Sequence, residues 1–456
     1  MNSNNIETFS SLKPEQREAM ALLSIGTFLE YFDIMLYVHM AVVLNQLFFP
    51  KTDPHVSSLV AAFSFSSTYF FRPIGALLFG WIGDRIGRKS TVIITIFIMA
   101  ISCFTIAILP TYEQIGITAT IMLTCCRIIQ GMACTGESTG AELYLTETTK
   151  PPVQYTLVAM LTVYTAVGTM AALGIATMVT SLHLNWRIIF MFGAGIALVG
   201  SIARTALRET PEFADAKRRI KKVFDSTDHD YIQKNSNNIL SKNLIVQEKV
   251  YLKTAIAYFF MQCTRPICFY FSYIHCGNLL KDSFLYSPEQ VIHHNFIISI
   301  IDLFGLVILA ALSYKIYPLK ILKVKLIVFS LFLLLSPFLL NAINSPFQLG
   351  LIQTFAVFFA FDDMPGGSIL YRYFPVFKRF TSTSLIHAIA RAFMYVVVSF
   401  GLVFLTKYFG NYALLIIATP LSIGFAFGLN HFINLESENE NNPQKTYGNS
   451  VQLDLV

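Results

Sequence analysis

Apolar runs of roughly twenty residues recur along the chain near 19–44, 57–80, 91–110, 117–144, 157–182, 188–207, 251–276, 291–314, 325–343, 347–371, 382–406 and 411–433. Each is long enough to cross a hydrocarbon layer of about 30 Å as a helix. A polar gap at 208–250 divides them six and six. Its first part, RETPEFADAKRRIKK, suits a short amphipathic helix, and its Ser/Asn-rich remainder suits a plain surface linker. The pattern predicts an all-α membrane protein of about twelve transmembrane helices in two six-helix halves, 19–207 and 251–433. A polar amino-terminal stretch, 1–18, precedes them, and an Asn/Glu-rich tail, 434–456, with the composition of a disordered segment, follows.

Composition agrees. The 456 residues are 54% hydrophobic and only 13% charged, with mean hydropathy +0.57, too apolar for a soluble globular chain of this size. The net charge of +6 does not point to nucleic acid, because the basic residues follow topology. One face of the membrane takes Lys13, Arg17, Arg85, Arg88, Lys89, Lys150, Arg208, the linker cluster, Lys315, Lys320, Lys323, Lys325, Arg372, Lys378, Arg379 and Lys445. The other takes only Lys51, Arg187, Lys281 and Lys407. By the positive-inside rule the first face is cytoplasmic and carries both termini. Cys103, Cys125, Cys126, Cys134, Cys263, Cys268 and Cys276 fall inside or at the ends of apolar runs without metal-ligand spacing, and are expected as small packing residues. No phosphate-cradling Gly loop, H-E-x-x-H or G-x-S-x-G is present, so no enzyme activity, cofactor or metal is expected.

Between the second and third runs stands Gly80-Trp81-Ile82-Gly83-Asp84-Arg85-Ile86-Gly87-Arg88-Lys89. Its glycines permit a close helix approach and a tight turn, its Asp84 can accept from backbone or basic groups, and Arg85, Arg88 and Lys89 are expected to stay in water. An interhelical latch is the implied role.

Charge inside the runs is the second informative pattern, since it costs at least about 2.5–3.5 kcal/mol at mid-bilayer. In the first run Glu30 and Asp33 share a helical face, with Tyr37 one turn on. Desolvation and mutual repulsion would give one of them the properties of a proton-coupling group; the alternative is a simple pair with a neighbouring Arg. In the fourth run Arg127, Gln130, Cys134 and Glu137 form one stripe. Arg127 can serve as a forked cation for a substrate carboxylate or as the ion-pair partner of Glu30 or Asp33. Glu137, flanked by small residues, suits a latch or pairing role, and Arg72 can snorkel or pair with it. In the second half Arg265 precedes Pro266, Asp302 lies mid-run, Asp362 and Asp363 precede Pro365-Gly366-Gly367, and His387 and Arg391 are one turn apart. Arg265 or Arg391 with Asp362 or Asp363 would give a zwitterion its cationic and anionic contacts; interhelical ion pairs are the plainer alternative. His183, His293 and His294 are expected as interfacial side chains.

The ten-residue turn resembles the signature loop between helices 2 and 3 of the major facilitator superfamily. The second half lacks a copy, having Ser313-Tyr314-Lys315-Ile316-Tyr317-Pro318 where a weaker one often stands. Gly26-Thr27-Phe28-Leu29-Glu30-Tyr31-Phe32-Asp33, Arg72-Pro73-Ile74-Gly75, Gln130-Gly131, Gly136-Glu137-Ser138-Thr139-Gly140-Ala141, Asn185-Trp186-Arg187-Ile188 and Glu209-Thr210-Pro211-Glu212-Phe213 together resemble the metabolite:proton symporter family, most of all its proline/betaine transporters. The resemblance covers about residues 20–215, and the family's first helix usually has Trp where this chain has Tyr31. It implies proton-driven uptake of a small zwitterion or carboxylate across a bacterial inner membrane, with protons, solute and lipid as partners and a monomer as the working unit. Alternating access would rock the halves about a midplane site while the loop latches helix 2 against its neighbours in the outward-facing state. An exporter or exchanger of the same fold, or a sensor that has lost transport, would carry the same pattern.

Overall fold

The computed structural model describes residues 12–49, 69–181, 185–203, 205, 207, 209–210, 214–215, 217–218 and 249–441. It is helical along the lines the apolar runs predict. In the first half the helices are α1 (Pro14–Phe48), α2 (Arg72–Arg85), α3 (Arg88–Ile108), α4 (Ile117–Thr148), α5 (Val153–Ser181) and α6 (Arg187–Ala203). In the second, α7 runs as Leu252–Gln262, Thr264–Phe269, a π turn at Tyr270–His275 and Cys276–Phe284. There follow α8 (Pro288–Lys315), α9 (Pro318–Asn341), α10 (Pro346–Phe359, resuming after a break as Gly367–Tyr371), α11 (Val376–Phe409) and α12 (Ala413–Asn441). Among the described residues seven helices are long and apolar enough to cross a membrane. The expected start of the second run, 57–68, lies outside the described residues.

Helix ends follow local chemistry. At the start of α8, Ser287 accepts from the Gln290 amide and the Gln290 side chain returns to the Ser287 amide, with Pro288 in the first turn. Pro266 and Pro365 fall at the interruptions of α7 and α10, where each removes a backbone donor. The helical surfaces are those of a lipid-solvated protein. Along α3, Ile94, Phe97, Ile101, Phe104 and Ile108 form an exposed stripe at alternating spacings of three and four, while Val92, Ile96, Met99, Cys103 and Ala107 on the opposite side are buried.

The two halves meet along long helix pairs. α2 lies on α11, and α5 lies on both α1 and α8. Thr156 and Ser313 hydroxyls lie 3.3 Å apart across the α5–α8 seam, beside Ala159, Val163, Leu306, Leu309, Ala310 and Met364. One boundary is corrected: the segment from 434 is not a tail at its start, because α12 continues to Asn441. The extension is held by polar contacts, Glu436 accepting from Tyr317 Oη and Tyr373 Oη, both at 2.5 Å, and Asn439 donating to Tyr373 at 2.8 Å.

Candidate functional site

The signature turn is a clamp between the halves. Asp84 accepts from the amides of Phe380 (3.1 Å) and Thr381 (2.8 Å) and from the Thr381 hydroxyl (2.7 Å), at the N-terminal turns of α11, where aligned peptide dipoles favour a carboxylate. Arg88 was expected in water, but its side chain has no exposed surface. It pairs with Asp84 (3.4 Å) and Glu147 (3.2 Å) and donates to the carbonyls of Gly83 (2.8 Å) and Val376 (2.6 Å). Glu147 also takes Arg379 from the second half at 3.0 Å and the Thr210 hydroxyl at 2.6 Å. Enough acceptors surround Arg88 to replace its hydration, which is what lets a guanidinium leave water. Gly87 has φ 139°, a conformation only glycine adopts freely, and a side chain there would run into the Glu209 carboxylate that accepts from the Arg88 amide at 3.0 Å. Arg85 is exposed and lies 5.1 Å over Trp81, and Lys89 donates to the Thr205 carbonyl at 2.8 Å. The latch therefore joins helix 2 to the opposite half, through Gly80 and Asp84, as well as to its own neighbours.

Deeper in the first half, the predicted stripe meets the predicted carboxylates. Arg127 Nη1 pairs with Asp33 Oδ2 at 3.2 Å and donates to Gln130 Oε1 at 2.8 Å. Cys103 donates to Asp33 Oδ1 at 3.2 Å and receives Gln130 Nε2 at 3.3 Å. Asp33, Arg127 and Gln130 are 4%, 1% and 2% exposed, so two opposite charges and an amide form a closed set in which every contact is charge-assisted or polar. Glu30, one turn back on α1, faces Cys134 at 2.5 Å. The two thiols expected as packing residues are thus hydrogen-bond partners of the two carboxylates, a role invisible without knowing which helices touch. Tyr37 and Glu137 are on described helices, but their side chains lie outside the described residues, as does His183.

Between the halves the lining is cationic and aromatic. Arg391 Nη1 of α11 donates to Tyr31 Oη of α1 at 3.2 Å. Arg72 is buried with its guanidinium 4.6 Å over Tyr69, whose ring lies 4.5 Å from that of Tyr395. Arg265 faces the same space: with Arg72 and Arg391 it lies within electrostatic reach of His387. Three guanidiniums from α2, α7 and α11 therefore converge on one region.

Other predicted residues are placed differently. Asp362, expected as an anionic contact for solute, is taken by Lys325 at 2.5 Å, and Lys325 also donates to the Met364 carbonyl at 3.2 Å. Lys325 had been assigned to a water-facing loop; it is 3% exposed and pins the break in α10. Asp363 accepts from Gln262 at 2.8 Å, and Asp302 from Tyr273 at 3.5 Å. His294 meets Gln353 at 2.6 Å. Glu142 of α4 accepts from Tyr371 of α10 across the halves, with Tyr258 packed against Tyr371, and the sequence reading names none of the three. Replacing Lys325 by Met should lower stability by about 3–5 kcal/mol, because Asp362 would be left as an uncompensated buried charge. Thermal unfolding in detergent checks this, and Lys325→Met with Asp362→Leu should recover most of the loss.

The arrangement is that of a membrane carrier: paired charges inside one bundle, a polar space between bundles and a clamp at one end. Residues 19–361 match the sugar (and other) transporter family, and the chain belongs to that family, within the major facilitator superfamily. It is 35% identical over 204 residues to the proline/betaine transporter of Escherichia coli K12, covering 43% of this chain and 41% of the relative. It is 34% identical over 204 residues to the glycine betaine/proline/ectoine/pipecolic acid transporter OusA of Dickeya dadantii, with coverage of 43% and 41%. To the shikimate transporter of E. coli K12 it is 32% identical over 225 residues, 46% of this chain and 51% of the relative. The chain thus spans about two fifths to one half of the length of these relatives. Among solved structures the fold resembles the proton:xylose symporter XylE, with TM-score 0.68 and 14% identity over 96% of this chain and 97% of that one. The human organic anion transporter MFSD10 gives TM-score 0.64 and 16% identity over 92% and 100%. These relatives and neighbours are transporters, not enzymes.

Proposed function

We propose that the protein is a secondary active transporter of the bacterial inner membrane that couples inward proton movement to uptake of a small zwitterionic or carboxylate solute by alternating access. Both termini and the signature clamp lie in the cytoplasm, following the distribution of Lys and Arg. The observation that carries the reading is the buried Asp33–Arg127 pair with Gln130 and Cys103. A carboxylate whose counter-ion is a fixed guanidinium can release or take a proton only when that pair rearranges, which ties protonation to helix movement. In the conformation described, the clamp of Asp84, Arg88, Glu147 and Arg379 holds the halves together at the end that the positive-inside rule assigns to the cytoplasm.

The solute class is supported by the inter-half lining. Arg265 and Arg391 supply forked donors for a carboxylate, and Tyr31, Tyr69 and Tyr395 supply rings on which an ammonium or quaternary ammonium can rest. The relatives named for proline, betaine and shikimate all carry solutes with a carboxylate. Arg391→Lys should raise the KM for solute about tenfold or more, since a point charge cannot reproduce bidentate contact and the Tyr31 bond together, while the Asp33–Arg127 pair remains. The reading is tested by uptake of labelled proline, glycine betaine and shikimate into proteoliposomes under an imposed pH gradient. Uptake of at least one of them that rises with the gradient supports it; rates indifferent to the gradient for every solute refute the coupling.

A further inference from the structure

Two further carboxylates, one from each half, lie around Tyr371, nearer the clamp than Asp33. Glu142 is less than two turns from the end of α4, and its Oε2 accepts from the hydroxyl of Tyr371 at the end of α10. Asp363, in the break of α10, accepts from Gln262 Nε2 at 2.8 Å. A Cβ placed on Gly367 would lie 3.9 Å from Asp363 Oδ2 and 3.8 Å from the Tyr371 ring, so the Asp363 carboxylate and the tyrosine that binds Glu142 flank one glycine. Glu142 and Asp363 are each half-buried.

Tyr258 supplies an independent observation. Its side chain has no exposed surface, its ring centroid is 6.1 Å from that of Tyr371, and it faces Asp363 and Glu142. Its hydroxyl lies beside that of Tyr371, which donates to Glu142. The charged and titratable groups facing the pair are Arg265 and Tyr258 of α7, Tyr371 of α10 and Arg391 of α11; Arg391 is engaged by Tyr31.

We propose that Glu142 and Asp363 form a second proton site, distinct from Asp33, which binds one shared proton as the cytoplasmic face closes and gives it up as that face opens. Closure brings the two carboxylates together away from bulk water, where two negative charges repel and one proton relieves them. Opening parts α4 from α10, and each carboxylate then ionises alone in a wet cavity. Tyr371, with Tyr258 beside it, donates to Glu142 and so joins the carboxylate of α4 to the end of α10. The inference rests on the alternating-access reading but not on coupling at Asp33.

The test is a cross-half distance measurement with spin labels at Glu18 and Lys320, both exposed, in the full-length chain carrying Cys125→Ser, the other six cysteines being buried. On acidification from about pH 8 to about pH 6, the wild-type population should shift toward the short distance. The slope should approach about tenfold per pH unit, the limit for one proton. Glu142→Gln and Asp363→Asn should each favour the short distance throughout and lose most of that slope. Glu142→Asp should keep it, which separates titration from misfolding. Asp33→Asn should lose solute accumulation yet keep the pH response of the distance. A full wild-type slope in both Glu142→Gln and Asp363→Asn overturns the proposal, as does a population that follows Na+ at constant pH instead of following pH. A single distance at every pH, with and without proline, overturns the alternating-access reading and the proposal with it.

Discussion

Asp33→Asn is expected to abolish gradient-driven accumulation while leaving solute exchange across the membrane intact. One pH unit supplies about 1.4 kcal/mol for one coupled proton, a ceiling of about tenfold accumulation per unit. A carrier whose group paired with Arg127 has become an amide loses the proton site tied to the solute half-cycle, since a proton taken up and released by Glu142 and Asp363 on the cytoplasmic side carries no net charge across, and it should equilibrate solute without concentrating it. Asparagine retains the size but only one acceptor oxygen, so it can keep the Arg127 contact or the Cys103 contact and not both, and Arg127, still donating to Gln130, loses its counter-charge. Accumulation at an imposed gradient, compared with counterflow at equal pH, measures the split. Loss of both would assign Asp33 to solute binding instead, and retention of accumulation would move coupling elsewhere.

Gly80→Val is expected to cost transport by a different route, through the closed state alone. The Cβ of any residue at position 80 would lie 2.6 Å from the Thr381 backbone Cα, and no rotamer change relieves a clash with backbone. Overpacking of this kind costs about 1–3 kcal/mol. Because the contact is between halves, the penalty falls on the conformation in which Asp84 reaches α11, shifting the closed-to-open ratio by about 5–150-fold. Initial uptake rate should drop accordingly at unchanged expression. Gly174→Ala is the matched control, since nothing lies within 4 Å of its added Cβ, and it should transport normally. A Gly80→Val carrier with wild-type rate would show that the clamp does not form during turnover.

What the sequence made legible, and what it concealed, divides by the distance over which partners act. Asp33 and Arg127 stood out because each is a charge in an apolar run, where burial has a known cost, and the stripe of Arg127 and Gln130 follows helical spacing. Pro266 and Pro365 announced the interruptions of α7 and α10. Arg88 was misjudged because its neighbours in sequence are those of a wet turn, whereas its burial depends on Glu147 and Val376, 59 and 288 positions away. Lys325 was grouped with loop lysines for the same reason, and only the fold of α10 puts Asp362 beside it. Glu142 falls off the Arg127 stripe and faces the other half, a direction that periodicity within one helix cannot supply. The missing second signature loop was evident at Ser313–Pro318, but not that Tyr317 there is held by Glu436 on a helix extended past its apolar run.

Solute-dependent proton movement tests the coupling most directly. Proteoliposomes in weakly buffered medium, with no imposed gradient, are given a transported solute and the external pH is recorded. Wild-type protein should make the outside alkaline as solute enters, the signal should vanish in Asp33→Asn, and a proton ionophore should collapse it. Solute entry at a normal rate with no change in external pH would contradict the account.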